Sequence, residues 1–599
     1  MSTLDSGDNH HNRQSESAFG LLEGKVTKND PPETKLAWLR SQVIGGNVEF
    51  NTPFGKRLLI YADHTAAGRG LHYIEDFIVN KVLPFYGNTH TSDSFVGHKT
   101  TRMVKEATRY VKTCLGAGPE DALIFCGYDT TAAIKRLQEV IGILVPSTIR
   151  DRVLQSLRNE ERWVVFVGPY EQHSNLLSWR NSLAEVIEIG LDEDGLVDMR
   201  ALRQKLETYK DSNRPMLGSF SACSNVTGIY SDTRSIAWLL HQHGAFACFG
   251  FATSGPYVEI DMRSGELEGY DAIFLSPHKF LGGPETPGIL LMHKALYQLR
   301  SSAPSTCGGG TVNFVNGFSE EHTLYCQDVE EREDAGTPPI IQKIRASLAF
   351  WVKDLIGYNV IENQNHVYIS EALARLLPNP NINVLGDTCV PRQAILSFMI
   401  FSRTTSSSFN MKTENGTHGE DRRGKPLHGP FVVKLLNDLF GIQASAGWAC
   451  AAPYGHQLLG IDETQSLAFR SAIQKGYTGV KPGWTRLTFP YYMSKEELEF
   501  ILASLEFIAT YGQRFLPLYS FNWKTGNWTF QSSAFMKNIL GEDYTLDSRK
   551  FSLNEEANKP SRYAYYLETA KYVASFLPSF PPQRRVPKDI DPSLVHFRV

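Results

Sequence analysis

Residues 276–284 read Ser-Pro-His-Lys-Phe-Leu-Gly-Gly-Pro, and the fold and chemistry predicted for this chain depend most on this segment. The four apolar residues before it, 272–275, predict a short buried strand. Lys279 is therefore expected at the carboxyl end of a strand, where open α/β sheets bind ligands. A poorly hydrated lysine there can lose its proton and form a Schiff base, with Ser276 and His278 as candidate phosphate ligands. The alternative is a surface lysine in a loop.

Short apolar segments alternate with helical patterns from Leu58 onward, which is typical of βαβ units around a mostly parallel sheet. Ile134, Leu137, Ile141 and Leu144 share one face of a helix predicted over 131–144. A further helix is predicted over 340–355 and a strand over 394–401. The strands predicted for the main sheet are 122–125, 164–167, 216–220, 246–249, 272–275 and 289–292.

The domain organisation follows from changes in composition along the chain. Residues 1–34 lack periodicity and predict a disordered tail. A large domain over 35–340 and a smaller α/β domain over 341–510 follow. The smaller domain contains a polar insertion at 402–429. Residues 511–599 form an aromatic-rich C-terminal extension, to which the sequence assigns no role.

Composition excludes several classes of protein. The chain has 599 residues and a net charge of −4, so nothing favours nucleic acid or an anionic membrane as a partner. Eight cysteines without metal-ligand spacing argue for a reducing compartment and against a metal site. Neither a signal peptide nor an apolar segment long enough to span a membrane is predicted. We expect a cytoplasmic protein.

Candidate ligands follow other strands of the predicted sheet. Thr130 and Thr131 open a helix after a strand and could bind a phosphate, or simply cap the helix. His173 follows the strand over 164–167 and is expected over the same edge. Asn225 follows the next strand, where it could bind a ligand or belong to an ordinary turn.

Three motifs together resemble the class V aminotransferase family of pyridoxal-phosphate enzymes, in its cysteine desulfurase-like branch. They are Ser-Pro-His-Lys with the following Gly-Gly-Pro, Glu-Gln-His-Ser-Asn at 171–175, and Asp-Ala-Gly-Thr-Pro at 334–338. The resemblance runs from about Tyr61 to Met493. It implies a type I aminotransferase-like α/β fold: a large domain with a mostly parallel seven-stranded sheet, a smaller C-terminal α/β domain, and a homodimer.

The resemblance also implies roles for individual residues around pyridoxal 5'-phosphate. Lys279 would bind the cofactor covalently and move the substrate proton, and His173 would stack on the pyridine ring. Asn225 would lie near the ring hydroxyl. The phosphate ligands would be Thr130, Thr131, Ser276 and His278, joined by Thr337 from the neighbouring subunit.

Two more residues would act on the substrate. Arg486 matches the arginine that binds the α-carboxylate of a small amino acid, for which a bidentate guanidinium is suited. Cys450 stands where desulfurases carry the cysteine that accepts sulfur as a persulfide. It could equally be a small buried apolar residue.

The chain departs from the family pattern at the ring. Gly250 stands where family members have the aspartate that keeps the pyridine nitrogen protonated. Thr253 replaces the residue that usually contacts the ring oxygen. Desulfurases have an arginine a few residues before the cysteine, whereas here Ser445 stands nearest that place, and the neighbouring Trp448 is bulky.

Two functions are therefore open at the level of sequence. The first is a pyridoxal-phosphate enzyme acting on a small amino acid, as a desulfurase, lyase or aminotransferase. The second is a catalytically impaired pseudoenzyme with a scaffold or regulatory role, which Gly250 would favour.

Overall fold

The computed structural model describes residues 26–91, 93–403, 423–535 and 558–599. Of the tail predicted over 1–34, residues 1–25 lie outside the described residues, and the first helix already begins at Pro32. The N-terminal elements are α1 (Pro32–Gln42), β1 (Glu49–Thr52), β2 (Gly55–Leu58), β3 (Ile60–Tyr61), α2 (His72–Phe77) with a π-helical turn at Ile78–Val82, and α3 (Phe95–Cys114).

A seven-stranded sheet forms the centre of the large domain and confirms the predicted fold class. Its strands are β4 (Asp121–Cys126), β5 (Val164–Val167), β6 (Glu185–Glu188), β7 (Met216–Ser221), β8 (Phe246–Gly250), β9 (Ala272–Leu275) and β10 (Gly288–His293). They lie in the order β4-β10-β9-β8-β7-β5-β6, and only β10 runs antiparallel to its neighbours. All six strands predicted for this sheet are present.

Helices cover both faces of the sheet, which explains why β5, β7 and β9 are buried along their whole length. These helices are α4 (Asp129–Val140), α5 (Ser147–Ser156), α6 (His173–Arg180), α7 (Met199–Tyr209) and α8 (Thr233–Gln242). The helix predicted over 131–144 ends earlier, at Val140, because the left-handed Gly142 (φ +77°) follows.

A smaller domain follows a short hairpin and is built on a second, antiparallel sheet. The hairpin and the first helices are β11 (Val312–Phe314), β12 (Leu324–Tyr325), α9 (Val329–Arg332), α10 (Ile340–Ile356) and α11 (Tyr358–Leu376). The domain continues with β13 (Ile382–Val384), β14 (Ile395–Arg403), β15 (Arg423–Pro426), α12 (Gly429–Phe440), β16 (Ile442–Gln443), β17 (Ser445–Gly447), α13 (Ala452–Leu459), α14 (Glu463–Gln474), β18 (Trp484–Thr488) and α15 (Lys495–Tyr511).

The second sheet has the order β13-β14-β18-β17, with β15 paired to β14. Its strand β14 confirms the one predicted over 394–401. Most of the polar insertion predicted over 402–429 (residues 404–422) lies outside the described residues. The insertion joins two strands that pair with each other, β14 and β15.

The C-terminal extension shares the core of the smaller domain. Its elements are β19 (Tyr519–Phe521), β20 (Trp528–Phe530), α16 (Ser532–Phe535) and α17 (Lys559–Ser575). The Tyr566 hydroxyl accepts a hydrogen bond from the Leu58 backbone at 3.2 Å, and Phe597 stacks on His428 with ring centroids 4.0 Å apart. Residues of the extension therefore belong to the same apolar core as residues 54–62 near the start of the described chain and residues of the smaller domain.

The parallel strands place the functional candidates at one edge of the large sheet. The carboxyl ends of β4, β5, β7, β8 and β9 meet there, and residues of the smaller domain lie against them. None of the helices in the described ranges is both long and apolar enough to cross a membrane.

Candidate active site

Lys279 lies where its sequence neighbours predict, at the carboxyl end of β9. A 3-10 turn over Pro277–Lys279 follows the strand, and the Lys279 side chain is buried. Burial lowers the pKa of Lys279, while the negative charge of Asp129 acts in the opposite direction. A buried amine with a lowered pKa has a larger neutral, nucleophilic fraction than an ordinary lysine.

The four candidate phosphate ligands of this chain surround the start of α4. Thr130 Oγ1 lies 2.5 Å from Ser276 Oγ, and Thr131 Oγ1 lies 2.6 Å from Ser174 Oγ. His278 lies on the same side, beside Asp129. The N-cap of α4 is Tyr128, which makes no side-chain cap, so neither threonine is the helix cap. The structure thus brings together a group of hydroxyls and an imidazole beside Lys279.

His173 is the first residue of α6 and is hydrogen-bonded to the loop that precedes α13. Its backbone N–H donates to the Cys450 carbonyl at 2.8 Å, and its Nε2 accepts from the Ala452 N–H at 3.3 Å. Burial lowers the pKa of His173, which favours a neutral ring. A neutral, oriented imidazole is suited to cover the face of an aromatic ligand.

Asn225 and Arg486 meet at the same loop. Asn225 Nδ2 donates to the Ala449 carbonyl at 2.6 Å, and Arg486 Nη1 donates to the Asn225 carbonyl at 3.0 Å. Arg486 also pairs with Asp63 at 3.2 Å. Asn225 Oδ1 and Arg486 Nε are buried, and neither has a hydrogen-bond partner within the described parts of the chain. Both atoms are therefore available to a ligand.

Cys450 is exposed, so its alternative interpretation as a small buried apolar residue is wrong. It has a φ of +57°, directly after Ala449 at +48°. Two successive left-handed residues that are not glycine are uncommon and occur mostly where the surroundings impose them. Here the bonds to His173 and Asn225 hold the backbone of the loop, which leaves the thiol exposed next to the site.

Gly250 ends β8 and faces Ser221 of β7 in the sheet register. A Cβ built on Gly250 would meet no atom closer than 3.9 Å, so the position has room for a side chain. The neighbouring Thr253 hydroxyl accepts a hydrogen bond from Gln172 Nε2 at 3.3 Å. The 171–175 segment thus contacts Thr253 directly.

Glu171 is a buried acid directly behind this edge. Its carboxylate accepts from both the backbone N–H and the hydroxyl of Ser221, each at 2.7 Å, and from Asn175. Burial raises the pKa of Glu171 to about 7, against the opposing effect of these hydrogen bonds. An acid that titrates near neutrality is thus connected through Ser221 to the position of Gly250.

The raised pKa of Glu171 predicts a pH-dependent stability. The pKa of Glu171 in the folded protein exceeds its ordinary value of 4.5. Glu171 therefore contributes to the free energy of unfolding in full below pH 4.5, and this contribution is lost as the pH rises through about 7. Glu171→Gln removes this titration. The variant's free energy of unfolding relative to the unmodified chain should therefore increase by up to about 3 kcal/mol between pH 4.5 and 8. Urea denaturation at both pH values measures it, and a pH-independent difference would contradict the assignment.

Thr337 does not lie with the other candidate phosphate ligands, Thr130, Thr131, Ser276 and His278, of its own chain. It is exposed, in the turn before α10, and makes no hydrogen bond to those described residues that surround Lys279. Its predicted role from a neighbouring subunit stays a prediction.

Sequence interpretation missed four residues of the site: Asp63, Asp129, Glu171 and Gln172. Asp63 and Asp129 each follow a strand that the sequence does predict, so an acid at a strand end was the available signal. No group of three or more histidines, cysteines and acids in the described ranges could hold a metal ion.

A buried lysine at the carboxyl edge of a mostly parallel sheet, with an imidazole and several hydroxyls beside it, is suited to bind an aldehyde cofactor that carries an anionic group. The profile of the class-V aminotransferases matches residues 60–416. The chain belongs to this family and is a pyridoxal-phosphate-dependent enzyme.

Curated relatives and solved structures agree with that assignment. A probable cysteine desulfurase from Streptomyces coelicolor is 23% identical over 458 residues, which cover 76% of this chain and 93% of that protein. A cysteine desulfurase from Haloferax volcanii is 24% identical over 381 residues, covering 62% and 82%. The apo cysteine desulfurase of Thermococcus onnurineus superposes with a TM-score of 0.58 at 21% identity, covering 79% of this chain and 98% of that one. This superposition establishes the fold.

The side chains present fit pyridoxal phosphate in chemical type. Lys279 offers the amine for the aldehyde, His173 a neutral ring, and the unpaired Asn225 Oδ1 an acceptor for the ring hydroxyl. The hydroxyls of Thr130 and Ser276 are suited to a phosphate.

Proposed function

We propose that this chain removes sulfur from a small amino acid such as L-cysteine, with pyridoxal phosphate bound to Lys279 and the sulfur received by Cys450. The observation that carries the proposal is the exposed Cys450 thiol on a loop hydrogen-bonded to both His173 and Asn225. Desulfurases among the relatives support the reaction class.

Arg486, Lys279 and Cys450 each have a physical task in this reaction. Arg486, buried and held by Asp63 and the Asn225 carbonyl, orients the substrate through its α-carboxylate. Pyridoxal phosphate, when bound, supplies an electron sink for the substrate α-carbon. The amine of Lys279, partly neutral because it is buried, accepts and returns the α-proton. Cys450 Sγ, as the thiolate, then bonds to the substrate sulfur while the bond from that sulfur to the substrate β-carbon breaks, and the electron pair of the broken bond stays on the substrate. The β-carbon takes up a proton in place of the one that the thiol lost, so the products are alanine and a persulfide on Cys450, with no external oxidant or reductant.

The ring needs an acid at the edge where Gly250 lies. Glu171 reaches this edge through the Ser221 hydroxyl, which donates to its carboxylate at 2.7 Å. We assign Ser221 and Glu171 the task of holding a proton near the position that Gly250 leaves without a carboxylate. A serine–glutamate pair acts less directly than an aspartate in contact with the ring.

We also propose that the protein acts as a homodimer. The hairpin β11–β12 exposes four large apolar side chains, and the exposed Thr337 lies close after it in sequence. These four are Phe314, Val315, Phe318 and Leu324. An apolar hairpin on the surface is suited to contact a second copy, whose phosphate site Thr337 would then complete.

The alternative predicted from Gly250, an impaired protein with a scaffold role, gains no support from the relatives named above. The two functions differ in one measurement, the turnover of an amino acid that depends on Lys279 and Cys450.

The test of sulfur removal is the release of sulfide and alanine from L-cysteine in the presence of dithiothreitol. We expect the two products in equal amounts, and Cys450→Ser should lower sulfide release at least about 100-fold, because it removes the nucleophile. Cys389→Ser is the matched control, since Cys389 is also exposed, and it should leave the rate unchanged. An undiminished rate in Cys450→Ser would overturn the role of this thiol.

A further inference from the structure

Asp129 is a carboxylate inside the group of residues assigned to the phosphate. It is the first residue of α4, directly before Thr130, and has a left-handed φ of +60°. Such a φ favours glycine and is uncommon for other residues. The chain therefore turns sharply at Asp129, and glycine would adopt this backbone conformation with less strain than aspartate does.

The Asp129 carboxylate lies against two groups that a phosphate needs. Ser276 Oγ donates to its Oδ1, and His278 Nε2 lies 3.2 Å from the same oxygen. Thr130 Oγ1 is 2.5 Å from Ser276 Oγ and so belongs to the same hydrogen-bonded group. Burial alone would raise the pKa of Asp129, but the nearby His278, the hydrogen bond from Ser276 and the charge of Lys279 outweigh it and lower the pKa well below its usual range. The lowered pKa favours the ionised carboxylate.

We propose that Asp129 competes with the cofactor phosphate for Ser276 and His278, so that this chain holds pyridoxal phosphate loosely. The inference rests on the proposed function, because it takes Lys279 as the cofactor lysine. A phosphate entering the group must displace the carboxylate from its donors and lie beside its negative charge. Repulsion between two anions at contact distance in a partly buried site costs more than a factor of ten in affinity.

The competition acts on the phosphate and not on the aldehyde. Pyridoxal has the same ring and aldehyde as pyridoxal phosphate but no phosphate, so it reaches Lys279 without contesting Ser276 and His278. The ratio of the two dissociation constants isolates the effect of Asp129 on the phosphate. Any effect of Asp129 on the nucleophilicity of Lys279 is common to both compounds and cancels in this ratio.

The experiment titrates the unmodified chain and Asp129→Asn with each compound and follows the absorbance of the lysine adduct. Asparagine tolerates a left-handed φ and removes the charge with little change of shape. We expect Asp129→Asn to bind pyridoxal phosphate at least about tenfold more tightly and pyridoxal within about threefold of the original affinity. Asp129→Gly, which suits the φ of +60°, should behave in the same way and serves if the asparagine variant does not fold.

Asp63→Asn is the matched control for charge near Lys279. The negative charge of the Asp63 carboxylate also acts on Lys279, but this carboxylate accepts its hydrogen bonds from Arg486 and Ser445. This variant should leave the ratio of the two dissociation constants unchanged. Equal tightening of both compounds by Asp129→Asn, or no tightening of pyridoxal phosphate, would overturn the inference alone. Absence of an adduct with either compound in every variant would overturn the proposed function together with it.

Discussion

Replacing Lys279 with alanine should abolish covalent retention of pyridoxal phosphate and lower turnover of L-cysteine by about 10³-fold or more. The reason is that, in the proposed function, Lys279 supplies both the amine that binds the cofactor and the base that moves the substrate proton, and general base catalysis alone contributes about 10²- to 10⁴-fold. Sulfide release and the absorbance of the dialysed protein measure the two losses separately.

Lys279→Arg is the matched control for this prediction. It keeps the positive charge that faces Asp129 and Asp63 but cannot form the covalent bond, so it should be as inactive as the alanine variant. Lys353 is a second buried lysine, whose pKa burial lowers to about 7. Its Nζ donates to the carbonyls of Gly255 and Val258. A cofactor adduct at Lys353 in either variant would contradict the assignment of Lys279.

Introducing a carboxylate at Gly250 should raise turnover by about 10²-fold. The resemblance to the family implies that an aspartate at the end of β8 would contact the pyridine nitrogen, and a buried ionic contact of this kind is worth about several kcal/mol in the transition state. The backbone accepts the change, because Gly250 does not have a left-handed φ and a Cβ there meets no atom within 3.9 Å. Steady-state rates at saturating cofactor measure the gain.

Gly250→Ala separates the charge from the added volume. It fills the same space without a carboxylate and should leave turnover within about threefold of the original, since alanine adds only a methyl group in ordinary contact distance. Equal gains in the alanine and aspartate variants, or none in either, would mean that Gly250 does not lie at the nitrogen of the ring.

The sequence predicts the large domain well because its signals are local. Each of the six predicted strands is a short apolar segment bounded by polar residues or turns. Such a segment is nearly sufficient to form a buried strand between two layers of helices. The position of Lys279 follows from the strand before it. The predicted helix over 131–144 extends too far because the apolar period continues through Ile141 to Leu144, while the left-handed Gly142 follows the end of α4 at Val140.

The contacts that connect the site could not be predicted in the same way, because they join distant parts of the chain. Asp129 meets Ser276 and His278, almost 150 residues later, and Arg486 meets Asp63 over more than 400 residues. The hydrophobic periodicity of the sequence does not indicate which distant residues will contact each other. The core shared by residues 511–535 and 558–599 with the smaller domain is another case, because aromatic composition shows that a segment can fold but not where it packs.

The most direct test of the central claim is borohydride reduction of the protein saturated with pyridoxal phosphate, followed by peptide mapping. The account predicts a visible absorbance band that disappears on reduction and a single modified peptide, with the adduct on Lys279. A band without modification of Lys279, or no band at saturating cofactor, would contradict it.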